Sequence, residues 1–298
     1  MVDKQIIHMM TPLKHMSPFD TNMALDAGYD AAIPYASVDL SDVPDLVQDA
    51  IFSRPPKLGV RTGVFIGGKN AILALEMLDA AKKAMVPPFK ISLFADPAGS
   101  FTTGAAMMAC VEKVLKEKKG RELRGVKVAI FGATGVVGFA AAVIAALEGA
   151  DVTLVGHAHL KRLEEIKTEM ESRFGITVRT ADGTDEDKKT EILKEAEVAL
   201  CAARAGVRVL TTAQLAQARN LLVVADVNAV PPTGIEGLDV MADGVEITPH
   251  GTLGIGALAV GNIKYKTEFG LFQKMIEAAK PVTFDFRDAF QLARELSS

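Results

Sequence analysis

Short apolar runs alternate with longer stretches of helical periodicity along most of this chain. The clearest example covers residues 126–149. A β-branched apolar run at 126–131 ends at a glycine, and from Val136 an almost wholly apolar stretch continues without a helix breaker until Gly149. This pattern predicts a buried strand followed by a buried helix, around which the other elements are arranged.

The same criteria predict further strands and helices in alternation. The predicted strands cover residues 5–9, 33–35, 63–66, 89–95, 126–131, 151–155, 177–180, 198–202 and 221–225. The predicted helices cover residues 18–27, 45–52, 71–85, 105–118, 136–148, 267–279 and 287–296. Strands that alternate with helices are typical of a parallel sheet with right-handed crossovers.

The length of 298 residues and a hydrophobic content of 49% allow a large core and two domains. We predict an α/β protein in which residues 105–267 form a C-terminal Rossmann-type domain with a doubly wound parallel sheet. Residues 1–104 are predicted to form an N-terminal α/β substrate domain, on which the C-terminal helices of residues 268–298 pack back. The charged run at 116–124 is expected to be a solvated connector near the boundary.

The turn between the strand and the helix of the central unit resembles a phosphate-binding turn. Gly132, Gly135 and Gly138 could allow a tight turn, a close approach to a pyrophosphate, and packing of the helix on the strand. The fingerprint Gly-x-Gly-x-x-Gly is met with one departure, because Ala133 occupies the position of its first glycine. The alternative is a glycine-rich turn that binds no ligand. The residues expected to contact a dinucleotide here are Gly132, Thr134, Gly135, Val136 and Val137.

The end of the next strand bears on the type of dinucleotide. An NAD-selective site usually has Asp or Glu there, whereas this chain continues from Gly156 with a neutral to basic segment, 157–162. We expect His157 and Lys161 to flank a 2′-phosphate, which favours NADP slightly over NAD. The alternative is an ordinary solvated helix start.

Other strand ends carry candidate polar groups. The segment 96–104 is rich in hydroxyl side chains, Ala203 would pass beside a bound dinucleotide, and Asn228 offers an amide on a proline-rich loop. Residues 251–257 form a second glycine-rich stretch, predicted to be a loop without the strand–glycine–helix order of a fingerprint. Lys264 is predicted to follow this flexible segment.

Composition and charge exclude several functions. A net charge of −4 with scattered Lys and Arg argues against nucleic-acid binding, and no apolar run is long enough to cross a bilayer. Cys110 and Cys201 lie in apolar runs and are expected to be packing residues, while His157 and His159 lack the neighbours of a metal site. The start of the chain lacks the pattern of a signal peptide, so a cytoplasmic location is expected.

Five separated motifs point to one known family. The segments HMMTPLKHMSPFD, ADPAGSFTTGAAM, FGATGVVG, ADVNAVPP and GIGALAVGNIKYK occur in this order along the chain. Together they resemble the methylene-tetrahydromethanopterin dehydrogenases of methylotrophic bacteria, over essentially the whole length, and most closely the branch that accepts NAD or NADP. The resemblance implies hydride transfer from a reduced pterin in formaldehyde oxidation, by a homo-oligomer built from trimers.

The resemblance also implies residue roles. It places Phe19 and Asp20 at the pterin, Thr102 and Thr103 in the cleft, and Lys264 beside the polar edge of the pterin. On the nicotinamide side it implies Asn228, Gly254, Ile255 and Gly256. One departure is Glu268, which stands where the NADP-specific branch has a histidine. From the residues alone, the favoured interpretation is a core contact for Phe19 and a helix cap for Asp20.

Two other functions stay open at this point. One is an oxidoreductase for another substrate on a similar scaffold, such as a shikimate-type or folate-type dehydrogenase. In the folate-type case an acid–base lysine would be expected in the N-terminal domain, for which Lys14 and Lys69 are candidates. The other is a dinucleotide-binding redox sensor without catalytic activity.

Overall fold

The computed structural model describes residues 3–157 and 160–298 and contains two separate sheets. The strands are β1 (Ile6–Met10), β2 (Ala31–Tyr35), β3 (Thr62–Ile66), β4 (Ser92–Ala95), β5 (Lys127–Phe131), β6 (Asp151–Gly156), β7 (Arg179–Asp182), β8 (Val198–Cys201), β9 (Val223–Asp226), β10 (Asp243–Glu246), β11 (Leu253–Ile255) and β12 (Thr283–Phe284). The helices are α1 (Pro18–Asp26), α2 (Val43–Phe52), α3 (Ala71–Ala84), α4 (Ser100–Val114), α5 (Val136–Leu147), α6 (Leu160–Phe174), α7 (Glu186–Glu195), α8 (Thr212–Gln217), α9 (Ala257–Glu277) and α10 (Phe286–Ser297). The predicted α/β class is confirmed.

The described residues divide into two compact units. One contains the chain up to Thr102 together with Tyr265–Leu292, and the other contains Thr103–Lys264 together with Ala293–Ser298. The first two breaks between the units lie two and three residues before the domain boundaries predicted after residues 104 and 267. However, the last six residues group with the second unit, whereas the sequence assigned them to the N-terminal domain. Each break falls inside a helix, in α4, α9 and α10 respectively.

The sheet of the first unit has the strand order β12-β4-β3-β1-β2, with all neighbours parallel. The order reverses between β1 and β3, so the loops that follow these two strands flank the switch point of the sheet. Phe65 on β3, Phe94 on β4 and Phe272 on α9 form a buried aromatic cluster in this unit, with ring centroids 5.2 to 5.5 Å apart.

The sheet of the second unit has the order β7-β6-β5-β8-β9-β11-β10. The first six strands are parallel and β10 is antiparallel to β11. In order of appearance within this unit, the six parallel strands have the arrangement 3-2-1-4-5-6 of dinucleotide-binding domains, with the switch point between β5 and β8. The predicted Rossmann-type sheet is confirmed.

Three details of the structure differ from the sequence prediction. Helix α9 begins at Ala257, not at residue 267, so it directly follows strand β11 and one glycine. The predicted absence of a strand–glycine–helix order at 251–257 is therefore wrong. Helices α6, α7 and α8 and strands β10 and β11 of this unit, and β12 of the first unit, were not given bounds from the sequence. The three strands have only two to four residues, which is too short for a periodicity signal.

The charged segment after α4 is not a simple solvated connector. Leu115–Lys119 form a π-helical turn that ends at Gly120 in the left-handed conformation. Lys118 Nζ donates a hydrogen bond to the Gly244 carbonyl and Lys119 Nζ to the Gly251 carbonyl, both at 2.7 Å. The two lysines thereby attach the end of α4 to the β10–β11 hairpin. None of the described helices is both long enough and apolar enough to cross a membrane.

Candidate dinucleotide and substrate sites

The turn between β5 and α5 shows why glycine is required at two positions. Gly132 has φ +90°, and a Cβ there would lie 2.5 Å from the Ala202 carbonyl oxygen. A Cβ at Gly138 would lie 2.5 Å from the Gly132 carbonyl oxygen, because the helix packs closely on the turn. Gly135 is less crowded, since a Cβ there would lie 3.3 Å from the Gly132 carbonyl oxygen.

The departure at Ala133 has a structural explanation. The left-handed residue of the turn is Gly132, one position earlier than in the fingerprint, and Ala133 is buried. The Gly135 N–H donates to the Gly132 carbonyl at 3.0 Å and closes the turn. Gly135 is also the N-cap of α5 and offers no side-chain cap. The first N–H groups of this helix can therefore bind an anion such as a pyrophosphate.

A cleft of about 390 Å³ extends from this turn across the carboxyl ends of β5, β6, β7 and β8. Its lining residues include Gly132, Thr134, His157 and Ala203, all four of which were predicted cofactor contacts. Ala158 and His159, within the segment considered for a 2′-phosphate, lie outside the described residues. Lys161 is exposed and does not line this cleft, whereas its neighbour Arg162 does.

The cleft is markedly basic. Besides His157 and Arg162 it is lined by Lys189, Arg204 and Arg208. Sequence reasoning missed the last three as site residues, although Arg204 lies in the strand exit that was considered. Position after a strand end is the signal that could have identified Arg204, whereas Lys189 and Arg208 reach the cleft only through the tertiary fold.

Asn228 has a defined role in its loop. Its Nδ2 donates to the Pro232 carbonyl at 3.0 Å, and its Oδ1 accepts from the Val230 N–H at 2.9 Å. The neighbouring Asp226 accepts backbone hydrogen bonds from Asn228, Gly234 and Ile235. Burial raises the pKa of the Asp226 carboxyl, and this effect is larger than the lowering of the pKa by the backbone N–H donors. The two side chains hold the loop after β9; contact of Asn228 with the nicotinamide stays a prediction.

The glycines at 254 and 256 are explained by packing within the second unit. A Cβ at Gly254 would lie 2.4 Å from Leu238 Cδ1, and one at Gly256 would lie 2.2 Å from the Asp239 carbonyl oxygen. Ile255 between them is fully buried. The expectation of a flexible loop is wrong here, since Gly254 and Ile255 belong to β11. Their contact with a nicotinamide stays a prediction.

Thr102 is a buried partner of a helix cap. Its Oγ1 donates to Asp96 Oδ2 at 2.5 Å and lies 3.1 Å from the Gly99 carbonyl oxygen, while Asp96 Oδ1 accepts from the Phe101 and Thr102 N–H groups. Both side chains are fully buried, so the hydroxyl of Thr102 is committed to the start of α4. The half-buried Thr103 is the more accessible of the two threonines.

Phe19 lies at the start of α1 and is not a core contact. Its side chain is 45% exposed, and its ring meets the 48% exposed Tyr265 edge to face at a centroid distance of 6.4 Å. The predicted cap of this helix is confirmed, because Ser17 Oγ accepts from the Asp20 N–H at 3.3 Å. Asp20 itself is buried. Tyr265 was not a predicted site residue.

Lys264 lies within α9, on a regular helix and not on a flexible segment. Its side chain is half-buried, and Glu268, one turn later on the same face, is fully buried. A lysine on a helix is held at a better-defined angle than one on a glycine-rich loop.

The strand order, the glycine turn, the uncapped helix start and the basic cleft define a dinucleotide-binding protein of the Rossmann class. Comparison with known sequences identifies the family. A family model described as "Methylene-tetrahydromethanopterin dehydrogenase, N-terminal" matches residues 18–98. The NAD(P)-dependent methylenetetrahydromethanopterin dehydrogenase of Methylorubrum extorquens is 56% identical over 294 residues, which is 99% of each chain. This chain belongs to the methylenetetrahydromethanopterin dehydrogenase family, and the resemblance seen in the motifs is confirmed.

Two more distant similarities complete the comparison. The Bifunctional protein MdtA of the same organism is 32% identical over 281 residues, covering 94% of this chain and 95% of that one. Shikimate 5-dehydrogenase of Listeria monocytogenes, solved with shikimate and NAD, has a TM-score of 0.51 at 15% identity, covering 91% of this chain and 92% of that chain. At this identity the structural similarity shows the fold alone and does not favour a shikimate-type substrate.

Proposed function

We propose that this protein oxidises methylene-tetrahydromethanopterin to methenyl-tetrahydromethanopterin and reduces NAD(P)⁺ to NAD(P)H, as a step of one-carbon (formaldehyde) oxidation. The observation that carries the proposal is the identity of 56% over 99% of both chains with an NAD(P)-dependent enzyme named for this substrate. The family match over residues 18–98 supports the same conclusion for the first unit.

The chemistry requires few side chains. The hydride leaves a carbon that bridges two nitrogens, and a nitrogen lone pair stabilises the cation that forms. Two electrons and one hydrogen pass to nicotinamide C4 as a hydride, so no side chain needs to remove a proton. The protein has to align the donor carbon with C4 and exclude water, which is catalysis by positioning.

The dinucleotide would be held by the second unit. Gly132, Thr134, Gly135, Val136 and Val137 would bind the pyrophosphate at the start of α5. This assignment is supported by the absence of a side-chain cap at Gly135, which leaves the first N–H groups of α5 available to an anion. Ala203 lines the same cleft. The loop after β9, which Asn228 holds, and residues 254–256 would lie toward the nicotinamide.

The pterin would be bound by Phe19, Asp20, Thr103 and Lys264. Exposure supports Phe19 in this role, because an aromatic ring that is nearly half exposed and already edge-stacked offers a face for a flat heterocycle. The buried Thr102 would contribute indirectly, by fixing the start of α4. We further propose that the protein acts in the cytoplasm as a homo-oligomer built from trimers, without a nucleic-acid or membrane partner.

The deciding experiment compares two substrates. Purified protein is mixed with NADP⁺ or NAD⁺ and either methylene-tetrahydromethanopterin or methylene-tetrahydrofolate, and the absorbance of reduced nicotinamide is followed. We expect turnover with the tetrahydromethanopterin substrate and little or none with the folate. Comparable or faster turnover of the folate would favour a folate-type dehydrogenase. Dinucleotide binding without turnover of either substrate would favour a redox sensor.

A further inference from the structure

Two arginines stand out among the cations of the dinucleotide cleft. Arg162 lies in the first turn of α6, and Arg204 lies in the exit from β8. Both are exposed and both line the cleft of about 390 Å³ that also contains Gly132 and Thr134. They therefore border the same space as the predicted pyrophosphate site.

The other two long cations of the cleft are already engaged. Lys189 Nζ lies 2.5 Å from Glu186 Oε1 and donates to the Val209 carbonyl at 3.0 Å. Arg208 Nε donates to the Thr233 carbonyl at 2.7 Å, and its NH1 lies 3.2 Å from Glu236 Oε1. Within residues 3–157 and 160–298, neither Arg162 nor Arg204 has a hydrogen bond or an ion pair through its guanidinium group.

The one acidic side chain among the described residues that line the cleft is paired with a cation. Glu186 lines the cleft, but its carboxylate faces Lys189 and also accepts a hydrogen bond from Gln214 Nε2 at 2.8 Å. At the end of β6, where an NAD-selective site has an acid for the ribose 2′-hydroxyl, the chain has Gly156 and His157. The cleft thus offers two uncommitted guanidinium groups and no free carboxylate among its described lining residues.

We propose that Arg162 and Arg204 bind the 2′-phosphate of NADP together and set the preference of the enzyme for NADP over NAD. A guanidinium group presents two parallel N–H donors that match the oxygens of a phosphate, and it stays charged at all physiological pH values. His157 can add one further donor, whereas Lys161, expected from the sequence, has no part because it does not line the cleft. The inference rests on the proposed function only for the identity of the dinucleotide.

The test measures binding without any pterin, so it is independent of the catalysed reaction. The wild type, Arg162→Ala and Arg204→Ala are each titrated in a calorimeter with four ligands. These are 2′,5′-ADP and 5′-ADP, and NADP⁺ and NAD⁺. We expect each substitution to weaken 2′,5′-ADP and NADP⁺ roughly 10- to 100-fold, the range for a lost charge-assisted contact. The affinity for 5′-ADP and NAD⁺ should change less than about 3-fold, and the NADP⁺ preference should shrink at high salt.

Three further variants sharpen the outcome. Arg162→Lys should recover part of the affinity, since it keeps the charge but loses the planar donor pair. Arg219→Ala removes the same charge from an exposed position outside the cleft and should leave all four affinities unchanged. Lys161→Ala tests the sequence expectation directly and should have little effect. Circular dichroism checks that each variant is folded.

Distinct results would overturn the proposal. An equal loss for 2′,5′-ADP and 5′-ADP would show that the arginine binds the pyrophosphate. A selective loss in Lys161→Ala, with Arg162→Ala unchanged, would restore the assignment made from the sequence. If all dinucleotide binding is as inferred but no pterin is oxidised, the proposed reaction is wrong while the phosphate site stands.

Discussion

Phe19 is the residue at which substrate binding can be tested with least damage to the fold. Because its side chain is 45% exposed, Phe19→Ala should lower the free energy of unfolding by about 1 kcal/mol, the worth of an exposed aromatic pair. Truncation of a buried Phe would cost about 3–5 kcal/mol. If the ring forms a wall for the pterin, KM for the pterin should rise or kcat should fall. Steady-state kinetics and urea denaturation measure the two effects.

The chain contains a matched control for this substitution. Phe52 is 54% exposed and meets Phe89 edge to face at 5.2 Å, but no site role was assigned to it. Phe52→Ala should lose a similar amount of stability and leave KM and kcat unchanged. Equal kinetic effects in the two variants would show that the loss in Phe19→Ala reflects general loosening and not pterin binding.

Single residues also show where sequence reasoning reaches its limit. The hydroxyl of Thr102 and the amide of Asn228 were recognisable as polar groups at strand ends. The sequence could not show that the Thr102 hydroxyl is hydrogen-bonded to Asp96. Nor could it show that the Asn228 amide is hydrogen-bonded to the backbone of Val230 and Pro232. Local side-chain to backbone bonds compete with ligand contacts, and their outcome depends on loop geometry that no periodicity encodes.

At the scale of elements, the sequence predicts the buried strands well and the elements toward the C-terminal end of the chain poorly. The apolar runs of β1, β3, β5, β6 and β8 are found within one or two residues of their predicted bounds. Helix α9 was placed ten residues too late, because Gly254, Gly256 and Gly261 suggested a loop. Two of these glycines are required by close packing against residues 238–240, which is a tertiary constraint.

The early start of α9 changes what is expected of Lys264. On a regular helix its ammonium group can hold one polar atom of the pterin at a fixed angle to the nicotinamide. Lys264→Ala should then lower kcat/KM by a factor that corresponds to a loss of roughly 2–4 kcal/mol of transition-state stabilisation, the scale of one well-placed charged donor. Lys264→Arg should recover only part, because the planar fork does not occupy the position of a compact ammonium. Lys266→Ala, two residues along the same helix, is the matched control.

The pH dependence of kcat separates positioning from acid–base catalysis. If no group exchanges a proton in the hydride step, kcat should be nearly flat from about pH 6 to 9 in both the wild type and Lys264→Ala. A bell-shaped profile that loses one limb in Lys264→Ala would instead identify the lysine as an acid or base, and the orienting role would be wrong.

At the scale of the whole molecule, the chain passes between the two units only within helices. The breaks follow Thr102 in α4, Lys264 in α9 and Leu292 in α10. A unit joined through a flexible linker can unfold alone, but separate unfolding here would have to interrupt the 21-residue helix α9. Proteins of this size often unfold in steps. The continuity of three helices argues against such steps in this one.

We therefore expect one cooperative thermal transition, with equal calorimetric and van't Hoff enthalpies. NADP⁺ at about 100 times its Kd should raise the midpoint of the whole transition, since selective binding to the native state adds about 2.7 kcal/mol of stability. Lys266→Pro, which breaks α9 beside the crossing at Lys264, should split the transition in two, whereas Lys266→Ala keeps the helix and should not. Two transitions in the wild type, with only one of them shifted by NADP⁺, would show that the units unfold independently and that the shared helices do not couple them.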